Sequence, residues 1–543
     1  MTEPETADPT ERPRKGFPTM PVPWWTVAGG VALLAAAAYY YVLFHTKWVV
    51  VAGVVAVAAL ALVTALGMPR TGAGRHAAEG GVATTDRAYL AALAAVGLGF
   101  CLVFGPGTVP DESYHFYCTY KYTDTLLGQT ATDDTISVRS ADEEFFKALP
   151  GDLSMEREDY DEQLADLELV ASEQGESDVA VPSSYPWTSN LPQVKWAPVL
   201  GVLIARLLNL GTIPLFYLGR LFNLAYYILL CWFAVRLTPV AKSAFRVVSL
   251  LPMSLHLAAS YSYDTGGLGL VLLLTALLLK AIFDEGPLSR PMLAAIPVAA
   301  FLAIPCKVVY LPVMVLVFFI PDARFGSRRL ALLYKGGCLV AAVAALVAIR
   351  LGSILSATQI SGGEGGEKAL AVRGDQTGRY YSIGELVANP GMTVQLFVDT
   401  FQAQGDFYLA STWGGSLGWF QPQLVAPQVF GYCFYGILFA SALRSPDDEG
   451  VAGPLLRAAC LAVFAVVVLA CLLALATSFT FDTEPFILGV QGRYFVPVLP
   501  LLLLAVRGRS VAYTRPAAAG ILFAATLLDL WYLLYLYGTI LTL

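Results

Sequence analysis

Pro110-Asp111-Glu112-Ser113-Tyr114-His115-Phe116-Tyr117 sets two carboxylates and an imidazole just past an apolar run that ends near Phe104. Asp111 and His115 share a face if the stretch is helical, with Glu112 about a quarter turn away. Such a set can supply a general base, hold a metal or bind a cationic group. A plainer reading also fits: proline suits the first helical turn and carboxylates suit the positive end of the helix dipole, so the stretch simply opens a helix. Four other polar groups interrupt apolar sequence: Tyr261-Ser262-Tyr263-Asp264, Lys307, Trp413-Gly414-Gly415 and Gln491-Gly492-Arg493-Tyr494.

The elements that must position these residues are membrane spans. In 543 residues, 57% are hydrophobic and 14% charged, with a mean hydropathy of +0.62. Soluble domains carry about a quarter charged residues, so this is an all-α polytopic membrane protein. Apolar runs near the roughly 20-residue spanning length predict about 13 transmembrane helices. They fall at 24–44, 48–67, 88–105, 213–235, 244–260, 265–283, 290–305, 308–320, 330–355, 427–443, 455–478, 494–506 and 516–540. Residues 1–23 form a cytoplasmic tail whose Arg12, Arg14 and Lys15 precede the first span as in a signal anchor. Residues 24–87 hold two extra N-terminal spans, and 88–543 form the main membrane domain.

The net charge of −7 is local in origin. Residues 131–180 carry 16 Asp and Glu against Arg139, Lys147 and Arg157, a balance of −13, which leaves the rest of the chain at +6. That excess follows the positive-inside rule with the N-terminus in the cytoplasm: Arg236, Lys242 and Arg246, then Arg324, Arg328 and Arg329, fall on inside loops. No basic patch with interleaved aromatics supports nucleic-acid binding. The eight cysteines lie mostly in apolar runs without a CxxC pair or a His at metal spacing, and read as small core residues.

With this topology nearly every unusual polar motif falls on the extracytoplasmic face, which favours a shared site there over a set of helix caps. The first outer loop, 106–212, contains the acidic insertion 131–180, read as a solvated segment, and an amphipathic stretch from Trp196 to Leu210 read as an interfacial helix. A second outer loop spans 356–426.

A span ending in Pro-Asp-Glu-x-x-His-Phe, the aromatic and proline segment from Tyr185-Pro186-Trp187 to Trp196-Ala197-Pro198, Gly219-Arg220-Leu221-Phe222-Asn223, Ser260-Tyr261-Ser262-Tyr263-Asp264 and Gln491-Gly492-Arg493-Tyr494-Phe495-Val496-Pro497 together resemble a bacterial family, domain of unknown function 2142, over roughly residues 88–510. That family is in turn similar to the GT-C superfamily of polytopic glycosyltransferases, which take a sugar from a polyprenyl-phosphate carrier at the outer membrane face. The resemblance implies a GT-C-like fold in the bacterial plasma membrane. It also implies that an acid directly after a span serves as general base or orients the acceptor hydroxyl. Asp111 stands at that position, with Glu112 beside it as a second catalytic candidate.

Glycosyl transfer needs a carboxylate to take the hydroxyl proton and a cation for the leaving phosphate. Arg493 is the first candidate for the phosphate, because its planar fork matches phosphate oxygens, and Lys307 the second. Both residue types also anchor at lipid headgroups. Asp264 either caps the following helix or supports the site. His115 is placed on substrate rather than metal, since one imidazole without further ligands at fixed spacing is a poor metal site. Tyr263, Gln491 and Tyr494 join the substrate-binding set, and Trp413, with Trp419 and Phe420, offers a ring on which a sugar can stack. No metal ligand is assigned, although a divalent cation suits the chemistry. The expected partners are a polyprenyl-phosphate-linked sugar, an envelope glycan or lipid acceptor and the bilayer. The competing reading is a transporter or flippase of lipid-linked glycan, for which deep ionisable groups would be diagnostic; Asp529 is the clearest of those.

Overall fold

Long runs of Leu, Val and Ala can cross a bilayer only as helices, because lipid offers no partner to a backbone amide or carbonyl. The structure, a computed structural model, describes residues 76–129, 131–132, 134–148, 178–182, 192–361, 371–373, 376–418, 425–445, 448, 450–507, 512 and 515–542. Six helices in it are long and apolar enough to span: α1 (His76–Val103, apolar from Thr85), α5 (Thr212–Leu237), α8 (Asp264–Phe283), α10 (Arg328–Ser361, apolar to Ile349), α14 (Pro454–Ser478) and α16 (Arg515–Thr542, apolar from Ala518). Helix α8 is the central post, with 78% of its most apolar stretch buried against 28% for α10 and α14, which turn most of their side chains outward.

The expected spans at 24–44 and 48–67 lie outside the described residues, as do most of the acidic insertion and residues 419–424. Several of the remaining eleven are not simple spans. The run at 244–260 is two short helices, α6 (Lys242–Leu250) and α7 (Pro252–Ala258), because the ring of Pro252 drives Leu251 out of helical conformation to φ −55°, ψ 138°. Nearly all of both helices is buried, so this segment is interior packing. The run at 290–305 is α9 (Arg290–Ala303) continued by a 3-10 turn, Ile304–Cys306. The next, Val308–Phe319, is a 3-10 helix over its whole 12 residues. At a rise of about 2.0 Å per residue it extends about 24 Å, where an α-helix of equal length would reach about 18 Å. Shorter apolar segments complete the bundle: α13 (Gln428–Ala442) and the Gly492–Val506 run that ends in α15 (Leu499–Val506). The expected second outer loop instead holds α12 (Pro390–Trp413), a 24-residue helix started by Pro390 and stopped at Gly414, whose φ of 112° no other residue type adopts easily.

The described residues between 106 and 212 fold as a module with its own core. Helix α2 (Glu112–Leu127) leads to β1 (Thr135–Arg139), α3 (Ser140–Ala148), β2 (Asp178–Pro182) and α4 (Pro192–Leu207). The strands pair antiparallel from Thr135 opposite Pro182 to Arg139 opposite Asp178, closing the base of the insertion. Phe116, Tyr120, Ile136, Val138 and Val202 pack against Phe216 of α5 and Tyr261. The expected amphipathic helix is α4, four residues earlier than its predicted start. Val194, Pro198, Val202 and Ala205 face inward while Trp196, Leu200 and Leu207 stay exposed. Gly201 lets α4 sit directly on α5, for a Cβ there would come within 2.6 Å of the Leu218 carbonyl oxygen.

Candidate functional site

Helix α1 ends, and α5 and α8 begin, at one end of the bundle, so the chain delivers Asp111, Asp264 and Lys307 to the same level. Asp111 precedes α2 in left-handed conformation, φ 61° and ψ 14°, which costs a non-glycine residue on the order of 1 kcal/mol. Its side chain makes no cap bond, so the helix-opening reading explains its backbone but not its carboxylate. That carboxylate is exposed and makes no ion pair among the described residues. Its pKa is raised from the ordinary value because neighbouring protein strips part of its water; Arg493 pulls it down and Asp264 pushes it up. Asp111 therefore shares one electrostatic environment with residues more than a hundred positions away.

Glu112 is different, and the expectation that it shares the chemistry gives way. It is fully buried, with Oε1 accepting from Arg220 Nε at 2.8 Å and Tyr261 N at 3.1 Å, and Oε2 from Arg220 Nη2 at 2.5 Å and Gly107 N at 3.0 Å. Arg220, also fully buried, spends its other donors on the carbonyls of Cys101, Phe104 and Gly105. With four donors on two oxygens and no route to solvent, Glu112 is an anchor. It joins the end of α1, the start of α2, the middle of α5 and the Tyr261 backbone, and so fixes the strained turn that presents Asp111.

Across from Asp111, Asp264 opens α8, and Lys307 sits in extended conformation between the two 3-10 helices. Lys307 Nζ lies 2.7 Å from Asp264 Oδ1, and Arg493 Nε lies 3.4 Å from Oδ2 without the geometry of a hydrogen bond. The Tyr494 ring lies under both cations, 3.9 Å from Lys307 Nζ and 5.5 Å from Arg493 Cζ, and Tyr263 lies 5.6 Å from Lys307 Nζ. Tyr310 donates to the Tyr494 carbonyl at 3.0 Å, and Gly492 N donates to Ser411 Oγ at 2.8 Å, tying the arginine's segment to its neighbours. Tyr263, Asp264, Cys306, Lys307, Tyr310 and Arg493 line a narrow cleft.

His115 packs edge-on against Tyr263, ring centroids 4.9 Å apart. Burial and the nearby cations Lys195, Arg493 and Lys307 hold its pKa well below the usual imidazole value, so it is neutral at neutral pH. Its Nδ1, Gln491 Oε1 and Arg493 Nε are buried atoms that lack a hydrogen-bond partner. Buried polar atoms are nearly always paired; of these three, Arg493 lines the cleft and His115 packs on its Tyr263 wall, which points to a polar ligand there. No cluster of three or more His, Cys, Asp or Glu side chains suited to a metal occurs among the described residues.

Trp413 does not join this group. It is 3% exposed, stacks on Phe434 at 5.2 Å and meets Tyr532 at a tilt, 5.5 Å between centroids, with Gly431 against its indole; it is core, and no sugar reaches its face. Two residues that matter escaped the sequence reading. Arg220 enters the sequence reading only as part of the Gly219–Asn223 motif, although a lone arginine within an apolar helix signals a buried partner. Lys195 lies in the first turn of α4, where a cation opposes the helix dipole, and that misplacement was its signal.

A family model described as a predicted membrane protein, DUF2142, matches residues 94–502. The chain belongs to this family. No curated protein and no solved structure matches the chain. The matched range contains Asp111, Glu112, Arg220, Asp264, Lys307 and Arg493.

Proposed function

We propose that this DUF2142 protein is an integral-membrane glycosyltransferase that moves a sugar from a polyprenyl-phosphate carrier to a cell-envelope glycan or lipid acceptor on the extracytoplasmic face of the bacterial plasma membrane. The observation that carries the reading is the pairing of an exposed, unbonded carboxylate, Asp111, with a cleft in which two cations face one carboxylate. Asp111 accepts the proton of the acceptor hydroxyl as its oxygen attacks the anomeric carbon. The bond from that carbon to the phosphate oxygen breaks, and the phosphate leaves with the electron pair toward Arg493. Lys307 is held by Asp264, whereas Arg493 touches the same carboxylate loosely and keeps donors for a phosphate. His115 Nδ1 and Gln491 Oε1 are left for sugar hydroxyls. The test is turnover of polyprenyl-phosphate sugars by purified protein in lipid, wild type against Asp111→Asn; undiminished turnover in the variant removes Asp111 as the base.

A second reading, transport of a lipid-linked glycan, has one observation in its favour. Lys307 sits at a break between two helices, the arrangement by which transporters expose backbone and charge to a substrate. Movement of labelled glycolipid across proteoliposomes without formation of a glycosidic bond would select it.

A further inference from the structure

Lys195 is 1% exposed, yet no carboxylate among the described residues is bonded to its ammonium. It donates to two backbone carbonyls, that of Tyr261 at 3.2 Å and that of His115 at 3.4 Å. These belong to two segments that meet beside the cleft: His115 lies one turn beyond Asp111 on α2 and packs on Tyr263, and Tyr261 lies in the connector that carries Tyr263 and Asp264 into α8. Helix α4 brings the lysine between them, and Val194 beside it packs where Gly266 of α8 leaves room, since a Cβ there would lie 2.8 Å from a Val194 methyl. We propose that Lys195 is a positioning residue whose charged ammonium holds the segments that carry Asp111 and Asp264 in register and adds positive charge behind the cleft, so that anion binding requires its proton.

The titratable and charged groups around it are His115 and Cys118 on α2 and Asp264 on α8. His115 is kept neutral and the Cys118 thiol is pushed up by burial, so neither ionises near neutral pH. Burial lowers the lysine's pKa to about 8, with Cys118 and Asp264 opposing the fall. The charge is therefore lost within a pH range in which Arg493 and Lys307 stay protonated.

This inference rests on the reading of the cleft as an anion site, and the experiment separates the two. A short dialkyl phosphate, singly charged throughout pH 6–10, is titrated into purified full-length protein by calorimetry. Wild type should bind at pH 7 and lose about tenfold in affinity as pH rises through about 8. Lys195→Met should bind about tenfold more weakly at pH 7 with no inflection, Lys195→Arg should keep the affinity without the inflection, and His115→Gln should keep the inflection. The arginine variant guards against misfolding of the methionine variant. An inflection that persists in Lys195→Arg overturns the role of Lys195 while leaving the anion site intact. Absence of binding in wild type overturns the anion site itself, and this inference with it.

Discussion

Two ion clusters at this end of the bundle are each built from a carboxylate and one or two cations and do opposite things. In the Glu112–Arg220 pair every donor and acceptor is matched, both side chains are fully buried, and the contacts are short and forked. In the Asp264–Lys307–Arg493 cluster two cations share one carboxylate, one of them at 3.4 Å, and buried polar atoms nearby stay unmatched. A saturated pair holds structure, because any ligand would have to displace bonds already made. An unsaturated cluster with surplus charge is where a ligand gains by binding. Adjacent residues, Asp111 and Glu112, fall on opposite sides of this divide.

The sharpest way to break the contrast is to unmatch the saturated pair. Arg220→Met leaves Glu112 as a buried, unpaired carboxylate, which costs roughly 3–5 kcal/mol. The variant should fail to accumulate as a monodisperse protein in detergent chromatography, and Glu112→Gln combined with Arg220→Met should recover part of the yield. A single variant that melts like wild type would show that the pair anchors nothing.

Asp111→Asn should do the reverse. Its carboxylate makes no bond among the described residues, so the melting temperature should stay within about a degree of wild type, while kcat for sugar transfer falls about 10²- to 10⁴-fold. A loss of stability as large as that of Arg220→Met would place Asp111 with the anchors. Within the unsaturated cluster, Arg493→Lys keeps the charge but loses the fork. It should raise KM for the lipid-linked sugar by about tenfold, the worth of one charge-assisted hydrogen bond. Lys307→Arg, which leaves a partner on Asp264, should change KM less; the opposite order would exchange the roles of the two cations.

How much of this was legible beforehand follows from what each residue touches. Helical spans come from composition, so α5, α8, α14 and α16 were located to within a few residues. Val308–Phe319 was placed correctly, but its 3-10 form was invisible, since 13 apolar residues read alike in either helix. Helix α12 was missed because Asp399, Asp406 and several glutamines gave it the polarity of a loop. At the site, the sequence put Asp111, Asp264, Lys307 and Arg493 at one end of the bundle through span counting, and the fold brings Asp264, Lys307 and Arg493 into contact. It had no means of separating Asp111 from Glu112, because their fates depend on Arg220, 108 positions away. Trp413 misled for the same reason: a Trp-Gly-Gly segment reads as an exposed stacking platform unless the partners Phe434 and Tyr532 are known to cover it.

The smallest expected effect is the most diagnostic of the cleft as one electrical unit. Asp111 has a pKa raised above the usual carboxylate value by loss of surrounding water, lowered in part by Arg493 and raised further by Asp264. A base must be ionised, so kcat/KM should fall as pH drops through that raised pKa, above the usual value near 3.8. Removing the arginine charge in Arg493→Gln should move this acid limb to higher pH, and Asp264→Asn should move it lower, each by a few tenths of a unit. Stability runs the other way for this group: a raised pKa contributes stability that is fully present below the unfolded pKa and is lost as pH rises through the folded one. Acid unfolding through Asp111 thus cannot imitate the loss of activity, and a melting curve recorded at each pH separates the effect of other carboxylates. Limbs that coincide in all three proteins would show that Asp111 does not sense the cluster, and the exposed carboxylate and the unsaturated cations would then be two sites instead of one.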